Sequence, residues 1–170
     1  FKAEDIPSSG EMDFFSNQQS GGVGLGFENG QLTFYGYMGD HYVTPKATVN
    51  VNKWIHVVGV ISQTDVALYV NGQLVQSLPK SGELKFTTSQ DAQNLVLGGD
   101  SNATGGAEYL FRGFVNRARL YNRALTATEV SALSKNAHVH DVTEPLQVQN
   151  LQAGLIGANT TVQDSLYDLN

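Results

Sequence analysis

Residues 66–74 read Val-Ala-Leu-Tyr-Val-Asn-Gly-Gln-Leu. Apolar residues alternate before the Asn-Gly pair and return after it. An Asn-Gly pair between two such segments is the strongest short-range signal of a two-residue β-hairpin, because both turn positions need a positive φ. The tetrapeptide Asn-Gly-Gln-Leu also occurs at 29–32, whereas the residues around it do not repeat. We therefore predict two independent hairpins rather than an internal duplication.

Most of the chain before residue 122 is also predicted to be β structure. The segment 54–61, Trp-Ile-His-Val-Val-Gly-Val-Ile, is too apolar for a half-exposed strand, so we expect a buried central strand there. Short strands are expected at 95–97 and 111–121, separated by a polar glycine-rich loop over 98–108. Seven or more short strands with closely spaced turns are typical of an all-β, two-sheet antiparallel sandwich rather than of βαβ units.

One helix is predicted after these strands, over residues 127–136. Thr126 can cap its first turn, and Glu129 stands three residues later to complete a capping box. Leu125 and Val130 occupy the positions of a hydrophobic staple. We expect this helix to pack on an edge of the sandwich.

The composition excludes several classes of function. The chain has 170 residues, of which 41% are hydrophobic, so it can form the core of one ordinary domain. It has no cysteine, which excludes a disulfide scaffold, a thiolate metal site and a cysteine nucleophile. A formal net charge of −6 argues against a nucleic-acid partner, which needs a clustered basic surface. No apolar run approaches the roughly 20 residues of a membrane span, so membrane insertion is not expected.

All arginines lie close together in the sequence. If 111–121 is one strand, they alternate outward and cross the sheet to acidic neighbours. An anion-binding stripe is the alternative. The arginines are Arg112, Arg117, Arg119 and Arg123.

Two carboxylates suggest a catalytic strand, but the motif is incomplete. Glu11 and Asp13 stand two residues apart, so on a strand they share a face and one could tune the pKa of the other. They resemble the start of the Glu-x-Asp-x-x-Glu strand of laminarinase-type glycoside hydrolases, whose acid/base glutamate would fall at or beside Ser16 and is missing. We therefore expect a solvated loop or an edge strand here, and no catalytic residue in the chain.

A cluster of aromatic and polar residues is the candidate ligand-binding site. Exposed rings beside polar groups stack sugar rings in sandwich proteins, and tyrosines also fill sheet faces by packing alone; both readings stay open. The residues are Tyr35, Tyr37, Asp40, His41 and Tyr42.

The glycine-rich loop over 98–104 is the candidate metal site. Asp100 and Asn102 offer a carboxylate and an amide oxygen, and oxygen ligands suit calcium. The spacing is not that of an EF-hand, so an ordinary turn is the alternative.

Several motifs in a fixed order resemble the laminin-G-like, concanavalin A-like lectin/glucanase jelly-roll superfamily. They are Trp-Ile-His-Val-Val at 54–58, Ala-Leu-Tyr-Val-Asn-Gly at 67–72, Leu-Gly-Gly at 97–99 and Ala-Arg-Leu-Tyr-Asn-Arg-Ala-Leu-Thr at 118–126. The resemblance implies a jelly-roll sandwich over residues 1–137, in which the opening strand or strands are absent before Phe1. Residues 138–170 are then expected to be a linker or an extended segment, or to complete the sheet.

The same resemblance implies a function. It predicts a non-catalytic carbohydrate-binding or adhesive module of a larger secreted or cell-surface protein, with a glycan or extracellular protein as ligand and neighbouring domains of the same polypeptide as partners. Calcium is a further expectation of this family. The alternatives are a structural or docking domain of a secreted hydrolase without a ligand of its own, and a jelly-roll glycosidase that uses Glu11 and Asp13.

Overall fold

The computed structural model describes residues 1–18, 21–86, 95–102, 104 and 106–136. This part of the chain contains thirteen strands and one helix. The strands are β1 (Lys2–Ala3), β2 (Glu11–Asn17), β3 (Val23–Glu28), β4 (Gln31–Tyr37), β5 (Tyr42–Val43), β6 (Lys46–Ala47), β7 (Val57–Ile61), β8 (Asp65–Val70), β9 (Gln73–Pro79), β10 (Val96–Leu97), β11 (Asp100–Ser101), β12 (Ala107–Glu108) and β13 (Gly113–Phe114). The helix α1 spans Ala127–Asn136.

Two larger sheets form the framework. The six-stranded sheet has the order β10-β2-β3-β4-β5, with β6 also paired to β4, and the three-stranded sheet has the order β7-β8-β9. The pairs β1 with β13 and β11 with β12 form two small additional sheets. The strands pair antiparallel throughout. These observations confirm the all-β jelly-roll sandwich with one short helix.

The predicted hairpins are both confirmed. Asn29 and Gly30 join β3 to β4 with φ values of 49° and 85°. Asn71 and Gly72 join β8 to β9 with φ values of 51° and 81°. Each turn therefore has the two positive φ angles that the Asn-Gly pair predicts.

The main hydrophobic core lies between the two larger sheets. Phe14, Phe27 and Leu32 of the six-stranded sheet and Val66 and Leu68 of β8 belong to one buried cluster. The other face of β8 is buried too, because Ala67 and Tyr69 pack in a second cluster with Val130 of the helix. The middle strand β8 is thus covered on both faces, and all its residues after Asp65 are hydrophobic.

The prediction of a buried central strand at 54–61 is therefore wrong in two respects. The strand β7 begins only at Val57, and among the described residues it pairs with β8 alone. Ile55, which precedes the strand, pairs with Phe1 instead. The Phe1 amino group donates to the Ile55 carbonyl at 3.0 Å, and Ile55 N–H donates to the Phe1 carbonyl at 2.8 Å. Four of the five residues of β7 are only half-buried.

The helix has the predicted bounds and the predicted cap. Thr126 N–H donates to Glu129 Oε2 at 2.8 Å, and Glu129 N–H donates to Thr126 Oγ1 at 3.3 Å, which is a capping box. Leu125 and Val130 are both buried against Val60, Ala67 and Tyr69. The helix thus packs on the outer face of the three-stranded sheet and not on an edge of the sandwich.

The predicted strand at 111–121 is mostly absent. Only Gly113–Phe114 forms a strand, paired with β1, and Arg117 has a φ of 56°, which interrupts an extended backbone. The arginines consequently do not cross a sheet to acidic neighbours. Arg112 pairs with Asp5 at 3.4 Å, and Arg123 pairs with Glu129 of the helix at 2.7 Å.

The remaining predictions concern the loop over 98–108, the segment 138–170 and membrane insertion. The glycine-rich loop over 98–108 contains the short hairpin β11–β12, so it is more regular than expected. The linker prediction for 138–170 lies outside the described residues. No helix in the described part of the chain is long and apolar enough to span a membrane.

Candidate functional site

One face of the six-stranded sheet points away from the main core and carries polar side chains; we call it the polar face. On β2 it is formed by Glu11, Asp13 and Ser16. They share this face because the β2–β3 ladder shifts by one residue between Asp13 and Phe15, a β-bulge that places Phe14 and Phe15 both in contact with the core. The predicted solvated loop or edge strand is therefore wrong, since β2 pairs with β3 on one side and β10 on the other.

The glycines of β3 make room for the side chains that lie across this face. A Cβ atom at Gly26 would stand 1.8 Å from Asp13 Oδ1, and one at Gly24 would stand 2.2 Å from Gln18 Oε1. Larger residues at these two positions would displace both polar side chains. The glycines at 24 and 26 are thus explained by the close packing of the polar face. Gly22 is explained by its φ of 71° and by the Asn17 carbonyl oxygen, 1.8 Å from where its Cβ atom would stand.

Asp13 is fully buried at the centre of the polar face. Gln18 Nε2 donates to Asp13 Oδ2 at 2.9 Å, whereas Asp13 Oδ1 has no hydrogen-bond partner. Burial, followed by the nearby charges of Asp100 and Glu11, raises the pKa of Asp13 from 3.8 to about 8. The Asp13 side chain is therefore a neutral carboxylic acid at pH 7.

Asp100 is the second buried carboxylate of this face. Its Oδ1 accepts hydrogen bonds from Ser16 Oγ at 2.6 Å and from Ser101 N–H at 2.9 Å. Ser16 thus stands where the laminarinase-type motif would have its third carboxylate. Its hydroxyl group binds a carboxylate from another strand, that of Asp100 in β11. The residues are 84 positions apart in the chain.

Asp13 and Asp100 belong to a larger group of carboxylates, which we call the acidic cluster. Glu11 and Glu28 stand directly opposite each other on β2 and β3. Burial raises the pKa of Glu11, and the charges of Glu28, Asp100 and Glu108 raise it further. The ammonium of Lys46, which bonds to Glu28, acts in the opposite direction. The acidic cluster consists of Glu11, Asp13, Glu28, Asp100 and Glu108.

This geometry does not favour glycoside hydrolysis. Such a reaction needs two carboxyl groups that both reach the substrate. Asp13 is 0% exposed and Asp100 is 2% exposed, so neither reaches solvent in this structure. Of the two residues that the incomplete motif offers, Glu11 is half-buried and Asp13 is buried.

The predicted ligand-binding residues fall into two sets. Tyr35, Tyr37 and Tyr42 come together on neighbouring strands, with ring centroids 6.3 Å apart for Tyr35 and Tyr42 and 4.9 Å apart for Tyr37 and Tyr42. Tyr35 is 5% exposed and therefore packs within the sheet, whereas the other two rings are half-buried. Tyr42 Oη is anchored by donation to the Gln18 carbonyl.

Asp40 and His41 form the second set, at the turn between β4 and β5. Their side chains are 84% and 47% exposed, and His41 Nδ1 lies 2.5 Å from Asp40 Oδ1. Both side chains thus lie on an open part of the surface, immediately before Tyr42 in the chain.

The predicted calcium ligands Asp100 and Asn102 both make hydrogen bonds within the protein. Asn102 Oδ1 accepts three hydrogen bonds, from Thr104 N–H, Thr104 Oγ1 and Gly106 N–H at 2.8–3.0 Å, so its lone pairs are already used within the turn. In the parts of the chain that the structure describes, no three His, Cys, Asp or Glu side chains are placed to hold a metal ion. Both predicted ligands are thus engaged within the protein, and calcium at Asp100 and Asn102 stays a prediction.

Tyr109 is a candidate site residue that the sequence reasoning missed. Its ring is 42% exposed, and its φ of 49° is unusual for a bulky residue. Its carbonyl accepts from Asp13 N–H at 2.8 Å, which fixes Tyr109 at the β2 edge of the polar face. Glu11 and Glu108 raise the pKa of its hydroxyl. The sequence around 109 does not predict the bond between Asp13 and Tyr109, because this bond depends on the pairing of segments that are distant in the chain.

Comparison with known proteins supports this fold. The family model described as the concanavalin A-like lectin/glucanases superfamily matches residues 1–131. No curated protein sequence matches. The structure is similar to a sialidase CBM40 from Ruminococcus gnavus bound to α2,3-sialyllactose, with 19% identity over 78% of each chain and a TM-score of 0.61.

Two further solved structures share the fold. Domain 4 of the extracellular GH43 arabinanase AbnA from Geobacillus stearothermophilus, in complex with arabinotriose, is 18% identical over 78% of this chain and 62% of that chain, with a TM-score of 0.56. The binding domain of a paraclostridial mosquitocidal protein is 16% identical over 74% of this chain and 31% of that chain, with a TM-score of 0.54. With its motifs, its two sheets and the family match over residues 1–131, the chain belongs to the concanavalin A-like lectin/glucanases superfamily.

Proposed function

We propose that this chain is a non-catalytic carbohydrate-binding module of a larger secreted or cell-surface protein. The observation that carries the proposal is the group of half-buried tyrosines, Tyr37 and Tyr42, beside the exposed Asp40 and His41. Aromatic rings with polar groups at their edges bind the apolar faces and the hydroxyl groups of sugars together. The ligand-binding residues of the proposal are these four, with Tyr35 packed behind them.

The site is held in place before any ligand arrives. Tyr42 Oη accepts from Gly21 N–H at 3.1 Å in addition to its bond to the Gln18 carbonyl. Tyr37 N–H donates to the Gly22 carbonyl at 3.0 Å. The Tyr37 bond fixes its backbone, and the two Tyr42 bonds fix its ring; a fixed ring loses little conformational entropy on binding, which favours affinity.

Two of the structurally similar proteins support a carbohydrate as the ligand. One was solved with sialyllactose and another with arabinotriose. The first is the CBM40 of a sialidase, and the second is domain 4 of an extracellular arabinanase. An exported protein with neighbouring domains is the corresponding context for this chain. A non-catalytic role is supported by the burial of Asp13 and Asp100.

A glycan array, read with and without a calcium chelator, tests the proposal. We expect binding to at least one glycan class, and a loss of tenfold or more in affinity, ~1.4 kcal/mol, in Tyr37→Ala. Tyr121→Ala is the control, because Tyr121 is 40% exposed and lies outside the polar face. If no glycan binds in either condition and calorimetry shows no calcium uptake, the chain is a structural or docking domain without its own ligand. Glycan binding that is lost in the presence of the chelator would support the prediction of a calcium site.

A further inference from the structure

Lys85 lies beside the proposed sugar-binding residues, although it is more distant in the sequence than they are from one another. Its N–H donates to the Tyr37 carbonyl at 3.0 Å, and its carbonyl accepts from Gly22 N–H at 2.6 Å. Tyr37 N–H in turn donates to the Gly22 carbonyl. These three bonds fix the backbone of residue 85 at the end of β4, next to Tyr37.

The Lys85 side chain lies over the turn that carries Asp40 and His41. A Cβ atom at Gly39 would stand 3.2–3.3 Å from Cδ, Cε and Nζ of Lys85, so the end of this side chain covers the Gly39 backbone. Gly39 directly precedes Asp40 in the turn. Met38 N–H donates to the His41 carbonyl at 2.8 Å, which closes the turn. The ammonium group is thus placed at the site by contacts of the backbone and of its own side chain.

The charge of Lys85 has no partner in the part of the chain that the structure describes. The residue is exposed, and none of the ion pairs between described side chains involves its ammonium group. The nearby Asp40 carboxylate lies 2.5 Å from His41 Nδ1 instead. An ammonium group on a fixed backbone, with no carboxylate of the described residues bound to it, can bind an anion from outside the chain.

We propose that Lys85 is a specificity-determining residue of the sugar site and that the ligand bears a negatively charged group, a carboxylate or a sulfate. This inference rests on the proposed glycan-binding function. A lysine side chain only donates hydrogen bonds, and those to an anion are charge-assisted, so Lys85 favours an anionic acceptor over a neutral hydroxyl group. Tyr37 and Tyr42 bind the sugar ring in this arrangement, and Lys85 binds its charged substituent.

Sets of glycans that differ by one charged group test the proposal. Lactose, α2,3-sialyllactose and the corresponding sulfated lactose form one set, and the array adds neutral and uronic oligosaccharides of equal length. For the glycan class that binds, we expect the acidic member to bind about threefold or more tightly than its neutral partner. The carboxylate and sulfate members then identify the charged group. Equal or tighter binding of the neutral member would overturn this inference and leave the glycan-binding function intact, whereas absence of binding to every glycan would overturn both.

Two substitutions of Lys85 assign the selection to its ammonium group. Lys85→Met keeps an apolar side chain over Gly39 and removes the charge, so the acidic glycan should bind about three- to fivefold more weakly while its neutral partner is unaffected. Lys85→Arg keeps the charge and should retain the preference for the acidic member. A role of Lys85 in folding alone would weaken the binding of both glycans alike, so the ratio of the two affinities separates the two roles.

Lys53→Met is the matched control for the loss of one positive charge. Lys53 is also exposed, and it follows Asn52, whose N–H donates to the carbonyl of Ala3 in β1, a strand of another sheet. We expect this variant to keep the full preference for the acidic glycan. An unchanged preference in Lys85→Met, or an equal loss of preference in Lys53→Met, would refute the role of Lys85.

Discussion

Substitution of Asp13 by asparagine should abolish a strong dependence of stability on pH. Asp13 is fully buried, and its pKa is raised from 3.8 to about 8 in the folded chain. The folded state therefore holds a proton between pH 4 and pH 8 that the unfolded state has released. Stability that depends on this proton is fully present below pH 4 and is lost as the pH rises through 8.

The expected size follows from the pKa shift. One pKa unit corresponds to ~1.4 kcal/mol, so a rise of about four units amounts to about 6 kcal/mol lost between pH 4 and pH 9. Domains of this size are stable by only about 5 to 15 kcal/mol, so the natural chain is expected to be close to unfolding at pH 9. Asparagine is neutral and keeps an oxygen to accept from Gln18, so Asp13→Asn retains stability at high pH.

Urea unfolding of the natural chain and of Asp13→Asn, from pH 4 to pH 9, measures this difference. The two free energies of unfolding should be similar at pH 4 and diverge with rising pH, in favour of the variant. Glu4→Gln is the control: it replaces an exposed carboxyl group by the corresponding amide, and should follow the natural chain. A constant difference between the natural chain and Asp13→Asn across this range would show that Asp13 is not a buried neutral acid.

Three further substitutions test the packing, each by its urea midpoint. Gly59→Ala places a Cβ atom 2.3 Å from Phe34 Cδ2, so we expect a loss of about 1–3 kcal/mol, and an unchanged midpoint would contradict the described contact of the two sheets. Thr126→Ala removes the helix cap and should cost about 1 kcal/mol, with Thr126→Ser restoring most of it; equal losses in both variants would rule out the hydroxyl as the cap. Gly72→Ala forces a side chain into a φ of 81° and to within 2.9 Å of Ser134, so a loss of about 1–2 kcal/mol is expected, and a gain would argue for a different turn.

Local signals carried the successful sequence predictions. The Asn-Gly pairs and the Thr126–Glu129 capping box depend on residues within four positions of each other, so the turns and the helix bounds could be read directly. The prediction for 54–61 failed because an apolar run does not reveal its partners. Ile55 pairs with Phe1. The strand that is buried on both faces is β8, which packs against the six-stranded sheet on one side and against the helix on the other.

The candidate site was predictable only in part. Tyr35, Tyr37 and Tyr42 lie close in sequence and come together on adjacent strands. The burial of Asp13 was not predictable from its neighbours, because its surroundings include Asp100 and Tyr109 from a distant hairpin. The alternating glycines of β3 were the one local signal of a crowded polar face, and their meaning appears only when Asp13 and Gln18 are seen to lie across them.

The bulge in β2 is one position at which a residue can be deleted while the following side chains stay on the same face of the sheet. Elsewhere in an alternating strand, deletion of one residue moves every following side chain to the opposite face. Deletion of Phe14 would instead remove the extra residue and restore a regular ladder, with Phe15 still toward the core and Ser16 still beside Asp13. In related chains, a one-residue gap at position 14 is thus compatible with the same polar face, whereas a gap at Met12 would bring carboxylates into the core.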